Sequence, residues 1–95
     1  MSGCYYNELN LKDKLKRIIE HYGINAQQRK FAEEVFELQE AIIIGTERIF
    51  IAEEIADCMV MLNQFKEYYN ITDEQINKNI EYKVNRQIER IKKGE

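Results

Sequence analysis

The stretch FAEEVFELQEAIIIGTERIFIAEEIAD, residues 31–57, decides the fold of this chain. Apolar residues recur in it at helical spacing, and its only break is Gly45-Thr46. Two acidic pairs, Glu34/Glu37 and Glu54/Asp57, lie about equally far from that break. Residues three apart share one side of a helix, with Cβ atoms roughly 5–6 Å apart. Folding the chain back at Gly45-Thr46 sets the pairs side by side, each about 10 residues, or roughly 15 Å of helix, from the turn. Four converging carboxylates repel one another unless a divalent cation holds them.

Working outward from this hairpin, the pattern predicts four helices. The first covers about 9–22, with Leu11, Leu15, Ile18, Ile19 and Tyr22 at helical spacing, and Gly23 stops it. Asn25 is expected to cap the second, with Gln28 completing a capping box, and that helix ends at Gly45. Thr46 is expected to cap a third that reaches about Tyr69. Thr72 and Gln75 form the capping box of a fourth, which runs to about Lys93 before Gly94. No alternating run is long enough for a strand. Connections of two or three residues make neighbours antiparallel. The expected fold is all-α: one domain over 1–95, an antiparallel four-helix up-down bundle that assembles into a dimer or tetramer.

Bulk properties narrow the function. A chain of 95 residues buries a limited fraction of its surface, so self-association would help it. There is no proline to interrupt long helices. With 14 basic and 17 acidic residues the net charge is -3, which argues against nucleic-acid binding. The longest apolar run, Ala41-Ile42-Ile43-Ile44, is far short of the roughly 20 residues of a membrane span. The start, MSGCYYNELN, has neither the basic nor the apolar region of a signal peptide. Cys4 and Cys58 fit no metal-ligand spacing and read as reduced thiols, so a cytoplasmic location is expected.

At about 100° per residue, the second helix carries one apolar stripe of Phe31, Val35, Leu38 and Ile42, with Glu34 and Glu37 along its edge. A second patch, Phe36 with Ala32 and Ile43, lies on another side, where a second subunit would cover it. On the third helix Glu54 and Asp57 fall inside an apolar arc that includes Phe50, Met61 and Phe65. Single acidic pairs are usually just solvated. Carboxylates among apolar neighbours are costly unless paired or metal-bound, and with one pair so placed and the other matched to it across the turn, Glu34, Glu37, Glu54 and Asp57 are candidate metal ligands. Hard oxygen donors without His or Cys suit Mg²⁺ or Mn²⁺, and magnesium typically also binds substrate phosphates.

The fourth helix carries a cationic stripe through Lys83, Arg86 and Arg90, and counting back from the turn levels Arg86 with Glu54 and Asp57. Lys83 and Arg86 are therefore candidate phosphate ligands, although the helix macrodipole also favours cations there. Gln27 and Lys30 share the face of Glu34 and could bind phosphate or a metal-bound water. Lys12 and Lys16 fall at a similar height with less support. His21 fits a dipole interaction at a helix end. The tyrosine pairs Tyr5/Tyr6 and Tyr68/Tyr69, with Tyr82, could stack on a base, though packing is the commoner use. A di-iron bundle site would need Glu-x-x-His pairs, which this chain lacks.

These residues resemble the MazG-like all-α nucleoside triphosphate pyrophosphohydrolases. That family's pattern, Glu-Glu-x-x-Glu on one helix and Glu-x-x-Asp on the next, reads here as Glu33-Glu34-Val35-Phe36-Glu37 and Glu54-Ile55-Ala56-Asp57. The flanks Ala26-Gln27, Leu38 and Ala41-Ile42 agree. The stretch Glu81-Tyr82-Lys83-Val84-Asn85-Arg86 is similar to the last helix of phage-type and small bacterial members. The likeness covers roughly 26–93. It implies Mg²⁺-dependent cleavage of a (d)NTP between the α and β phosphates, giving a monophosphate and pyrophosphate. Glu34, Glu37, Glu54 and Asp57 would be the ligands, and Glu37, or Glu34, would also act on the attacking water. Lys83 and Arg86 would neutralise the triphosphate in a homodimer or homotetramer. The alternative expectation is a non-catalytic helical module binding a nucleotide or a partner helix.

Overall fold

The computed structural model describes residues 10–95, so Cys4, Tyr5, Tyr6 and the expected helix start near Leu9 lie outside the described residues. Four helices follow: α1 (Leu11–Tyr22), α2 (Ile24–Ile44), α3 (Arg48–Tyr68) and α4 (Asp73–Lys92). No helix is long and apolar enough to cross a membrane among these residues.

Two of the expected caps move. Asn10 Oδ1 accepts from the Asp13 amide at 2.8 Å and opens α1. Gly23, at φ +86°, is the entire connection between α1 and α2. Asn25 therefore sits inside the first turn of α2 and caps nothing, because a single left-handed residue lets the next helix start at once. At the other end, Gly45 is left-handed and its amide bonds Ala41 O at 3.1 Å. Thr46 closes the end of α2 rather than opening α3, since its Oγ1 also donates to Ala41 O, at 3.4 Å. Glu47 takes the N-cap position of α3 without a side-chain bond. The Thr72/Gln75 capping box at α4 forms as the spacing requires.

α2 and α3 fold back on each other along their length, and α1 packs on both, more extensively on α3. Leu15 and Ile19 of α1 meet Cys58 and Met61 of α3 in the core, and Phe31 and Phe65 pack edge to face at 5.4 Å across the hairpin. Among the described residues, the two other buried side chains are polar, Gln27 and Gln64. Lys12 reaches Glu67 at 3.9 Å, and Lys66 pairs with Asp73 across the α3–α4 turn.

The expected four-helix bundle is not closed within one chain. α4 packs along none of the other helices, and every one of its residues is exposed. The molecule is accordingly elongated, 60 × 33 × 25 Å. A four-residue turn ending in a strong N-cap starts a new helix whatever its direction, and length alone does not make that helix fold back. Much apolar surface stays open as a result. Ile43 is 75% exposed and Phe36 62%, as expected for the second patch of α2, and Val35 and Ile42 of the first stripe are also open. On α4, Ile80, Val84, Ile88 and Ile91 are exposed as well.

Candidate functional site

The α2–α3 hairpin places side chains in matched levels. Glu37 precedes Gly45 by as many residues as Glu54 follows Thr46; the same holds for Glu34 with Asp57 and for Gln27 with Gln64. Antiparallel helices joined by a tight turn set such positions opposite one another. The Gln27–Gln64 level is observed directly, with Gln27 Nε2 donating to Gln64 Oε1 at 2.8 Å.

Glu34, Glu54 and Asp57 each bring a carboxylate oxygen to a common point, the three atoms lying within 4.8 Å of one another. Glu34 and Glu54 are half-buried and Asp57 is exposed. The Oε2 atoms of Glu34 and Glu54 are closed off from solvent, with no hydrogen-bond donor among the described residues. Loss of hydration raises the Glu54 carboxyl above its usual range, and the charges of Glu37, Asp57 and Glu34 push it further. Lys30 stands 3.3 Å from Glu34 Oε1, and this contact holds the lysine more firmly protonated. Beneath the cluster the Cys58 thiol is pushed up, first by burial and then by the carboxylates of Glu34 and Asp57. These features describe anionic oxygens without enough donors. A divalent cation with oxygen preference fits that donor set, and a transition metal that prefers nitrogen or sulfur does not.

A pocket of about 390 Å³ opens beside the cluster. Glu34 and Asp57 form one end, Gln27 and Gln64 another, and Ile18, Tyr22, Val60 and Met61 line its walls.

The other expected site residues are placed as follows. Glu37 is exposed; it lies close enough to raise Glu54 but outside the trio of converging oxygens. Lys30 lines the pocket, paired to Glu34. Gln27 lines it too, yet is buried and held by Gln64 rather than offered to a phosphate at the surface. Lys83 and Arg86 are not brought to the acidic cluster by their own chain, because α4 stands off; Arg86 lies over the Tyr82 ring at 5.6 Å. Lys12 is engaged with Glu67, and His21 is exposed with its ring against Tyr22. Sequence reasoning passed over Gln64 and Val60, and read Ile18, Tyr22 and Met61 as packing residues only. The signal for Gln64 was present: it mirrors Gln27 across the turn and lies between Met61 and Phe65 on the inward side of α3.

Set against known proteins, the chain matches no family model, no curated protein and no solved structure. What can be said of its function therefore rests on its own residues.

Proposed function

We propose that the chain is a MazG-like, Mg²⁺-dependent nucleoside triphosphate pyrophosphohydrolase. It would cleave a (d)NTP between the α and β phosphates to a monophosphate and pyrophosphate. The observation that carries this reading is the pair of enclosed, donorless oxygens on Glu34 and Glu54, beside Asp57. Clustering alone would be ordinary surface charge; enclosed anionic oxygens without donors call for a cation. A divalent ion held there supplies charge neutralisation at the phosphates to be parted.

The chain's own residues supply the rest. Glu34, Glu54 and Asp57 are the ligands, with Mg²⁺ or Mn²⁺ the fitting ion. Glu37, exposed at the rim, is positioned to accept a proton from an incoming water. Lys30 balances Glu34 and reaches the pocket. Lys83 and Arg86 serve the triphosphate from a neighbouring copy, since they lie on a helix that one chain leaves unpacked. The uncovered apolar faces of α2 and α4 support assembly as a homodimer or homotetramer.

The test is to incubate the protein with each NTP and dNTP plus Mg²⁺ and to identify the products by phosphorus NMR. Monophosphate with pyrophosphate is expected; orthophosphate would sink the reaction type. The Phe36/Ile43 face favours one alternative, a non-catalytic module that binds a nucleotide or partner helix. Nucleotide binding without turnover would select it.

A further inference from the structure

Burying two glutamines side by side in so small a core is costly unless their hydrogen-bonding capacity is used. Gln27 is 4% exposed and Gln64 2%, and one mutual bond satisfies one donor and one acceptor. Gln64 Nε2 otherwise meets only the Met61 sulfur, at 3.9 Å, a weak partner. Gln27 Oε1 accepts no hydrogen bond from a described residue, and both side chains line the pocket. A donor and an acceptor are thus left over at one end of a slot whose walls are apolar and whose other end carries the charged Glu34 and Asp57, with Lys30 between. Two aliphatic residues would fill the same space at less cost. The amides fit a ligand instead.

We propose that Gln27 and Gln64 read the edge of a pyrimidine base, with Tyr22, Ile18 and Val60 enclosing the ring. The assignment rests on the nucleotide reading above and deepens it. Gln27 precedes Glu34 by seven residues and Gln64 follows Asp57 by seven, so on both helices the amides stand two turns, roughly 10 Å, from the carboxylates. A nucleoside spans that gap between its base edge and its 5′-phosphates. Both ends of the slot belong to the same pocket.

The amide pair also dictates a selectivity. Rotating both amides by half a turn reverses their mutual bond and exchanges the free donor with the free acceptor. One polarity matches a 4-oxo pyrimidine, which offers N3–H beside O4; the other matches a 4-amino pyrimidine, which offers N3 beside N4–H. The site therefore takes both uracil-type and cytosine-type bases. It rejects any pyrimidine whose N3 is blocked.

The test uses the intact, isotope-labelled protein and the side-chain NH₂ resonances of Gln27 and Gln64. Deoxyuridine and deoxycytidine, added separately with Mg²⁺, are expected to shift both resonances, with dissociation constants within tenfold of each other. N3-methyldeoxyuridine is expected to leave them in place. The assignment is overturned if neither nucleoside moves them, if only one does, or if the methylated nucleoside acts like its parent. Gln64→Glu, which replaces the free donor of the pair by a second acceptor and so matches neither base edge, should weaken binding of both nucleosides at least tenfold; unchanged binding overturns the proposal as well. Tripolyphosphate with Mg²⁺ reports separately on the carboxylate end. Nucleoside shifts without any tripolyphosphate response would remove the pyrophosphohydrolase reading and leave the base pocket standing.

Discussion

Gln27 Nε2 donates a hydrogen bond to Gln64 Oε1 across the α2–α3 hairpin, and this buried bond lies one level along from the pairing of Glu34 with Asp57. It ties the register of the acidic cluster to a contact two turns away on each helix. Stability and site geometry should therefore respond together. Gln27→Leu or Gln64→Leu alone strands the remaining amide and is expected to cost about 1–3 kcal/mol. The double substitution should cost less than the two singles added, measured as a double-mutant cycle in urea unfolding.

Glu54 makes the metal-free protein sensitive to pH in a defined direction. Its carboxyl is raised in the folded state, so folding favours the protonated form. The stability this gives is fully present below the ordinary carboxylate range and is lost as pH rises through the raised folded value. Without metal at neutral pH, Glu54→Gln should melt higher than wild type, and the gap should close as pH falls into the ordinary carboxylate range. Mg²⁺ should raise the melting temperature of wild type and not of the variant. If the ion stabilises both equally, Glu54 is not a ligand.

Subunit exchange tests the role given to α4. Glu34→Gln and Lys83→Glu proteins should each be nearly inactive as sole components. If cations reach the acidic cluster from a neighbouring copy, mixing the two in equal amounts restores about a quarter of wild-type turnover through mixed dimers. No recovery on mixing removes the role given to a neighbouring copy. Sedimentation of Ile43→Asp or Ile80→Asp, which put a charge on the open apolar faces, should show a smaller species than wild type.

Gly45 is the one turn residue whose backbone requires glycine for the hairpin. It lies at φ +77°, with open space where a Cβ would go, so the cost of a side chain is conformational rather than steric. Gly45→Ala should destabilise by roughly 1 kcal/mol, read from chemical unfolding.

The hairpin and its acidic levels were legible because both depend on local chemistry: a glycine-threonine break, 3.6-residue periodicity and matched spacing. Thr72 and Gln75 announced their capping box for the same reason. Helix direction was not legible beyond α3. Nothing in residues 69–72 states whether α4 doubles back, and its apolar residues suit a partner as well as its own chain. Glu37 sits in the same motif as Glu34, yet at the open rim, because the wheel fixes a side and not a depth. Gln64 was overlooked because glutamine carries no expectation of burial; its meaning appears only when Gln27 is seen opposite.

Because three side-chain levels are counted from one turn, their alignment is recorded in the length of the Gly45–Glu47 connection. A residue added there and taken up into either helix would turn α3 by about 100° relative to α2 and misalign all three levels at once. Substitutions along either helix would disturb them one at a time. Length variation at this loop is thus the most economical way for such a hairpin to gain or lose the whole arrangement, even with every side chain of the site retained.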